Sequence, residues 1–250
     1  MKQQLVLAAA LLCVLCAGCT RNAQEAYPQV GTVSKDTING VPCSIYLPDA
    51  YAERVPSGVA AFPVLYLQHG MDGTERDWPV KGHLLQWMDS MLRHGEVKEM
   101  VIIMPDNCPD LPSYDDELAN ATTGEWENGF AAFMAESERR YHISNKPSER
   151  AIAGLSMGGY HTMKIATLLD GQFNYVGMFS PATFENEAPR QADVFWIGIG
   201  KDDFLYDMVK GYRQWLDANQ VTYTYYESDG GHDWPNWQDY FNRFLPLCFR

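Results

Sequence analysis

Gly154-Leu155-Ser156-Met157-Gly158 is the stretch that carries most of the information about how this chain folds. A short strand-like run, 150–153, precedes it, and a helix-like run, 159–169, follows it. Between a strand and a helix, a G-x-S-x-G motif makes a sharp turn that exposes the serine hydroxyl at the edge of the sheet. Flanking glycines let neighbouring backbone pass close to such a turn because they have no Cβ. The stretch predicts a strand–turn–helix unit with Ser156 as a candidate nucleophile; the alternative is a glycine-rich turn with an incidental serine.

Only two histidines follow Ser156 in the chain, His161 and His232. When a nucleophilic serine sits in such a turn, an acid and then a histidine follow it along the chain, each at the end of a later strand. His161 comes too soon, within the helix that starts directly after the turn. His232 lies in a glycine-rich loop, 229–234, after a strand-like run. His232 is therefore the predicted base for Ser156; the alternative is a surface-loop histidine beside two aspartates.

Two candidate acids, Asp202 and Asp203, follow the apolar run 194–199. A continuous apolar run of this kind is typical of a central parallel strand that is covered on both faces. One of the two carboxylates would hold His232 in the correct tautomer and stabilise its charged form. The spacing does not choose between them, and the other aspartate is expected to be solvated or to cap the following helix.

The remaining pattern predicts an α/β fold, a mostly parallel doubly wound sheet with an N-terminal antiparallel hairpin. The hairpin is indicated by Asn39-Gly40, a dipeptide that favours a tight turn, between two extended runs. Strands are expected at 32–38, 41–47, 62–67, 100–104, 150–153, 176–179, 194–199 and 221–227, and helices at 83–95, 125–141, 159–169 and 204–218. About a dozen residues separate the strands that end near 179 and begin near 194, too few for a large lid, so an open cleft is expected.

The composition is that of one globular domain. The chain has 250 residues, of which 20% are charged and 46% hydrophobic, and its net charge is −13. The negative charge disfavours nucleic acid as a partner and disfavours electrostatic attachment to anionic lipid. The sequence contains no metal-ligand spacing such as C-x-x-C or H-E-x-x-H and no G-x-G-x-x-G, so no metal or cofactor is expected.

The N-terminus has the pattern of an export signal. Lys2 is followed by an apolar stretch, 5–17, and then by Gly18-Cys19. We expect residues 1–18 to be a signal peptide, Cys19 to carry lipid as in bacterial lipoproteins, 19–28 to be a tether, and 29–250 to be the folded domain. This places the protein in the cell envelope, periplasmic or at the surface, with lipid as its only membrane contact. Cys16 stands where a lipoprotein signal usually has leucine, and secretion without lipid is the alternative. Among Cys43, Cys108 and Cys248 at most one disulfide can form, and the sequence does not choose it.

Taken together, the motifs resemble those of the esterase D and feruloyl esterase group of the α/β-hydrolase superfamily, which includes family-one carbohydrate esterases. The resemblance covers nearly all of the mature chain. It rests on Tyr46-Leu47-Pro48, Pro63-Val64-Leu65-Tyr66-Leu67-Gln68-His69-Gly70, Gly154-Leu155-Ser156-Met157-Gly158-Gly159, Gly200-Lys201-Asp202-Asp203 and Gly231-His232-Asp233-Trp234, in that order.

The resemblance implies a serine carboxylesterase of α/β-hydrolase fold with Ser156, Asp203 and His232 as its triad. The position of the acid in the family favours Asp203 over Asp202. The turn at His69-Gly70 matches the oxyanion loop of the family, which implies the backbone N–H groups of Met71 and Met157 as oxyanion donors. His69 itself is expected to be structural, and no cofactor is implied.

For substrate contacts, Trp78 matches a family position near the cleft, with core packing as the equally weighted alternative. Tyr114 and Trp234 are further candidates for aromatic surface at the cleft. Export, the open cleft and the resemblance point to feruloyl or acetyl esters on plant polysaccharide such as arabinoxylan. Three alternatives remain: an S-formylglutathione hydrolase, which export disfavours because that thiol is cytosolic, a siderophore esterase, and a non-catalytic surface lipoprotein that binds glycan. The oligomeric state is not indicated.

Overall fold

The computed structural model describes residues 30–55, 60–107, 118–119 and 122–250. These residues form one eight-stranded sheet in the order β1-β2-β4-β3-β5-β6-β7-β8. The strands are β1 (Gly31–Ile38), β2 (Val41–Pro48), β3 (Val64–Gln68), β4 (Val101–Pro105), β5 (Arg150–Leu155), β6 (Tyr175–Phe179), β7 (Val194–Gly200) and β8 (Thr224–Ser228). The six strands β4, β3, β5, β6, β7 and β8, in this order across the sheet, run parallel to one another. Strand β2 is antiparallel to both of its neighbours, β1 and β4. The predicted fold class is confirmed.

The N-terminal hairpin has the tight turn that its sequence predicts. Ile38 pairs with Val41 at the end of the β1–β2 ladder, and Asn39 and Gly40 lie between them. Both turn residues have positive φ, 54° and 85°. This combination belongs to a type I′ turn, whose twist matches that of the two strands.

Helices cover both faces of the sheet. They are α1 (Tyr51–Arg54), α2 (Asp77–Val80), α3 (Leu84–Arg93), α4 (Glu125–Arg140), α5 (Met157–Leu168), α6 (Tyr206–Ala218) and α7 (Trp234–Phe244). Every residue of β3, β4, β5 and β6 is buried. This two-sided burial is the physical reason why those strands read as continuous apolar runs instead of alternating ones.

Some boundaries differ from the sequence-based expectation. Strand β8 begins at Thr224 and not at 221, because the Val221 N–H donates to the Leu216 carbonyl at 3.0 Å and so closes the end of α6. The short helix α2 was not predicted. The segment 180–193 contains no helix, so the link between β6 and β7 places no helical lid over the sheet edge.

Several predicted features lie outside the described residues: the signal peptide, Cys19, the tether, Tyr114 and Cys108. Cys43 and Cys248 are buried free thiols. Burial raises the pKa of Cys43 to about 12, so this thiol stays protonated and unreactive. Within the described ranges, none of the helices combines the length and apolar character that crossing a membrane requires.

Candidate active site

Ser156 occupies the sharp turn between β5 and α5. Its φ of 54° and ψ of −117° lie in a region that a residue with a side chain rarely adopts. Such a conformation persists only where its surroundings hold it in place. Here the Ser156 N–H donates to the Phe179 carbonyl at 2.8 Å, and the Ser156 carbonyl accepts from the Ala182 N–H at 3.1 Å. The end of β6 therefore fixes the serine backbone on both sides.

The glycines of the motif are required by close backbone contacts. A Cβ on Gly154 would lie 2.3 Å from the carbonyl oxygen of Gly158. A Cβ on Gly158 would lie 2.2 Å from the carbonyl oxygen of His69, in the loop after β3. The turn that carries Ser156 thus packs directly against the loop that is expected to supply an oxyanion donor.

Ser156, His232 and Asp203 form a continuous hydrogen-bonded chain. The Ser156 hydroxyl lies 2.9 Å from His232 Nε2. On the other side of the ring, His232 Nδ1 lies 3.0 Å and 2.9 Å from the two carboxylate oxygens of Asp203. A proton on Nδ1 leaves Nε2 as the acceptor for the serine hydroxyl. The structure therefore brings together the three residues that the sequence singled out, from the ends of β5, β7 and β8.

The loop that carries His232 is held in place at both ends. The Asp202 N–H donates to the Gly230 carbonyl at 2.9 Å, and the Asn236 side chain donates to the Gly231 carbonyl at 2.7 Å. Directly after His232, Asp233 caps α7 by accepting from the Asn236 N–H at 3.2 Å. The imidazole therefore has a fixed position above Ser156.

The two neighbouring aspartates have different environments. Asp203 is buried, whereas Asp202 is exposed to solvent. Burial raises the pKa of Asp203, but its hydrogen bonds with His232 and with the Leu205 N–H outweigh burial, and the net pKa lies below its usual value. Asp203 is therefore a stable anion opposite the imidazole, as a histidine that must accept a proton requires.

The two expected oxyanion donors belong to residues that adjoin Ser156, one along the chain and one in the loop after β3. Met157 is the first residue of α5, and the first N–H groups of a helix have no acceptor within it. Met71 follows Gly70, and a Cβ on Gly70 would lie 3.1 Å from Ser156 Cβ. Both N–H groups are thus close to the serine, and their use as oxyanion donors is a proposal.

His69 is buried beneath this loop and bonds to its backbone. His69 Nε2 lies 3.2 Å from the Asn107 backbone nitrogen and 3.3 Å from the Asp106 carboxylate. Nδ1 in turn lies 2.7 Å from the Gly70 carbonyl oxygen. His69 is 1% exposed. It therefore holds the loop, in agreement with the structural role expected for it.

A pocket of about 220 Å³ opens beside Ser156. Its lining combines glycine backbone, charged groups and two indoles: Gly70, Met71, Asp72, Asp77, Lys81, Leu155, Ser156, His232, Trp234 and Trp237. Trp234 thus lies where an aromatic substrate contact was expected. In the part of the chain that the structure describes, no group of three or more His, Cys, Asp or Glu could hold a metal ion.

The expectation that Trp78 contacts substrate is wrong. The Trp78 side chain is 1% exposed and donates its indole N–H to the Gln68 carbonyl at 3.0 Å. Its ring packs against Phe241 and stands edge-on to Trp234 at 5.4 Å. Core packing, the alternative reading, is correct, and Trp78 supports the pocket wall from behind.

The sequence did not reveal that two aromatic rings flank His232. The ring centroid of Phe204 lies 4.5 Å from that of His232, and the Trp237 ring centroid lies 5.0 Å from it. Phe204 directly follows Asp203, and its position next to a candidate acid is the one signal that could have drawn attention to it. Trp237 is buried, whereas Phe204 is exposed.

Several known proteins are similar to this chain. The chain is 28% identical over 176 residues to an endo-1,4-beta-xylanase/feruloyl esterase from Xylanibacter ruminicola, which covers 69% of the chain. The chain spans only 24% of the length of that relative. A ferulic acid esterase from Anaeromyces mucronatus, solved with ferulic acid, superimposes with a TM-score of 0.73 at 24% identity, covering 92% of this chain and 94% of that one.

Other solved structures share the fold at lower identity. An S-formylglutathione hydrolase from Staphylococcus aureus has a TM-score of 0.69 at 20% identity, covering 89% of this chain and 99% of that one. At these identities the solved structures show the α/β-hydrolase fold and not the substrate. The family model "Putative esterase" matches residues 34–207, well over half of the chain. The chain therefore belongs to this esterase family.

Proposed function

We propose that the protein is an exported serine esterase that hydrolyses feruloyl or acetyl esters on plant polysaccharide such as arabinoxylan. The observation that carries the proposal is the hydrogen-bonded chain from Ser156 through His232 to Asp203, with the serine on a strained turn. The name of the Xylanibacter relative, which joins a xylanase to a feruloyl esterase, supports the substrate class.

In the proposed mechanism, Ser156 Oγ attacks the ester carbonyl carbon while His232 Nε2 takes the serine proton. The negative charge that forms on the carbonyl oxygen is stabilised by the N–H groups of Met71 and Met157. The bond to the alcohol oxygen then breaks, and His232 gives its proton to that oxygen. Water attacks the acyl-enzyme with His232 again as the base, which releases the acid and restores Ser156.

The proposed acyl groups are compact because the pocket beside Ser156 is small and carries charged groups. A long acyl chain needs a deep apolar tunnel, since each methylene left in water forgoes about 0.8 kcal/mol. A pocket of about 220 Å³ that is lined by Asp72, Asp77 and Lys81 cannot provide such a tunnel. Trp234 in the same pocket offers a surface for the rigid aromatic ring of a feruloyl group.

The function is tested with a substrate panel on the wild type and on Ser156→Ala. We expect hydrolysis of p-nitrophenyl acetate, methyl ferulate or acetylated xylan, and a fall of at least about 10³-fold in the variant. Activity that survives in Ser156→Ala would overturn the assignment of the nucleophile. A preference for p-nitrophenyl palmitate would indicate a lipase, and a preference for S-formylglutathione or a siderophore ester would indicate one of the related hydrolases.

The proposed location rests on residues 1–19, where an apolar run ends at Gly18-Cys19. Firm attachment to a membrane requires more than one acyl chain, as bacterial lipoproteins have. Mass spectrometry of the mature N-terminus tests this part separately. We expect a lipid-modified Cys19, and an unmodified peptide that begins elsewhere would contradict it.

A further inference from the structure

An exposed apolar patch borders the candidate base. Half of the six large hydrophobic side chains that are exposed among the described residues lie in the segments that follow the neighbouring strands β6 and β7: Phe184, Phe204 and Met208, here called the Phe204 patch. Phe204 is 76% exposed, the highest value of the six. The Thr183 N–H lies 3.2 Å from Met208 Sδ, which brings the segment after Ala182 next to Met208. Phe204 is the member of the patch next to the site, because its ring centroid lies 4.5 Å from that of His232.

Nothing in the fold requires an exposed ring at position 204. Asp203 already orients His232, and the buried Trp237 ring already packs edge-on against the imidazole. An exposed apolar cluster beside a reactive centre is a mark of ligand contact, because such surface is unfavourable in water unless something covers it.

The chemistry of ester cleavage indicates which half of the substrate reaches this patch. His232 gives its proton to the alcohol oxygen, so the alcohol half of the ester must lie beside the imidazole. The pocket beside Ser156 is lined by Trp237 and not by Phe204. Phe204 therefore lies outside this pocket, next to His232, and is exposed to solvent. A compact acyl group fits the pocket, whereas a polymeric alcohol must continue outward over an open surface.

We propose that Phe204 is a binding subsite for the sugar ring of the alcohol half of the ester. One face of a sugar ring consists of C–H groups and is apolar, so stacking it on the phenyl ring removes both surfaces from water. This inference rests on the proposed function and adds to it which part of the polysaccharide ester is recognised, and by which residue.

The test compares two esters that share an acyl group and differ in the alcohol: methyl ferulate and 5-O-feruloyl-arabinofuranose. We expect Phe204→Ala to lower kcat/KM for the sugar ester by about fivefold or more, mainly through KM. The loss for methyl ferulate should be clearly smaller, because that ester has no sugar to stack, so the ratio of the two kcat/KM values carries the test. Phe204→Tyr keeps an aromatic ring and should retain most of the activity on the sugar ester.

Leu168→Ala serves as the matched control. Leu168 is 52% exposed and lies at the far end of α5, about 16 Å along the helix from Met157. Leu168→Ala should leave kcat/KM unchanged for both esters. Because Phe204 and Leu168 are both exposed, neither substitution threatens folding, and circular dichroism verifies this.

Each other outcome has a distinct meaning. An equal loss on both esters would show that Phe204 acts on His232 and overturn the subsite; no loss on either ester would also overturn it. If the wild type hydrolyses neither ferulate, methyl acetate and acetylated xylobiose give the same comparison. If the wild type cleaves methyl esters but no sugar ester, the proposed function is refuted. If Phe204→Ala cleaves sugar esters as well as the wild type does, only this inference is refuted.

Discussion

His69 Nδ1 lies 2.7 Å from the carbonyl oxygen of Gly70, and this hydrogen bond sets the direction of the next N–H group. The described residues contain no cis peptide bond, so the Gly70 carbonyl and the Met71 N–H point in opposite directions. The Gly73 N–H donates to the same carbonyl at 3.2 Å. With the carbonyl held toward His69 and Gly73, the Met71 N–H is held away from them.

We therefore expect His69→Leu to lower kcat by about 10- to 100-fold, somewhat less than deletion of an oxyanion donor. His69→Asn is the matched variant because its side-chain NH₂ reproduces the Nδ1 donor, and it should keep most of the activity. The diagnostic measurement is the ratio of kcat/KM for an ester to that for its thiono analogue, whose sulfur accepts weaker hydrogen bonds. This ester-to-thionoester ratio should fall toward one in His69→Leu and stay near the wild-type value in His69→Asn. An unchanged ratio with reduced activity would show a general structural defect instead.

The contact between Asp203 and His232 predicts unequal effects of two adjacent substitutions. Asp203→Asn should lower kcat by about 10⁴-fold, because the histidine loses its anionic partner and its correct tautomer. Asp202→Asn should change kcat only slightly, since Asp202 is exposed. Steady-state kinetics on p-nitrophenyl acetate decide the matter. The opposite ranking would show that the acid is the other residue.

The lowered pKa of Asp203 also predicts how stability depends on pH. The folded state binds fewer protons at Asp203 than the unfolded chain does, because its folded pKa lies below the ordinary value of 3.8. This contribution to the free energy of unfolding is complete above the unfolded pKa and is lost as pH falls through the folded pKa. Between about pH 5 and about pH 3, the wild type should therefore lose stability relative to Asp203→Asn. Urea unfolding of both proteins measures the difference, and parallel curves would contradict the expectation.

Two glycine-to-alanine substitutions should have opposite effects. Gly158→Ala would place its Cβ 2.2 Å from the His69 carbonyl oxygen, so the loop that carries Met71 must move. We expect a loss of about 1–3 kcal/mol in the free energy of unfolding and of about 10²-fold in kcat. Gly211, in α6, has no atom within 4 Å of an added Cβ. Gly211→Ala should raise the free energy of unfolding by about 0.5–1 kcal/mol without changing activity. A Gly158→Ala protein with wild-type stability and kcat would disprove the proposed steric coupling.

The sheet was predictable because its strands are buried on both faces. Runs such as Val101–Pro105 and Arg150–Leu155 are continuous in the sequence because helices cover both sides of the sheet. Likewise, His232 is the only histidine in the sequence that follows the strand bearing the candidate acids. Both predictions depended on local patterns that the fold preserves.

What the sequence did not show depends on contacts between distant segments. Spacing alone could not choose between Asp202 and Asp203, because the turn after β7 decides which carboxylate faces inward. Trp78 resembled a cleft residue, but its indole finds an acceptor at Gln68 and a place in the core. Phe204 read as the apolar start of a helix, and only the assembled sheet edge shows that its ring is exposed beside His232.

The edge-on contact between Trp237 and His232, with ring centroids 5.0 Å apart, gives the protein an optical signal of its own. The same indole lines the pocket beside Ser156, so its surroundings change when a molecule enters the pocket. The emission of Trp237, isolated from that of the other six of the seven tryptophans by subtracting the spectrum of Trp237→Phe, will therefore change when the pocket fills. In Ser156→Ala, occupancy of the site can thus be followed without turnover.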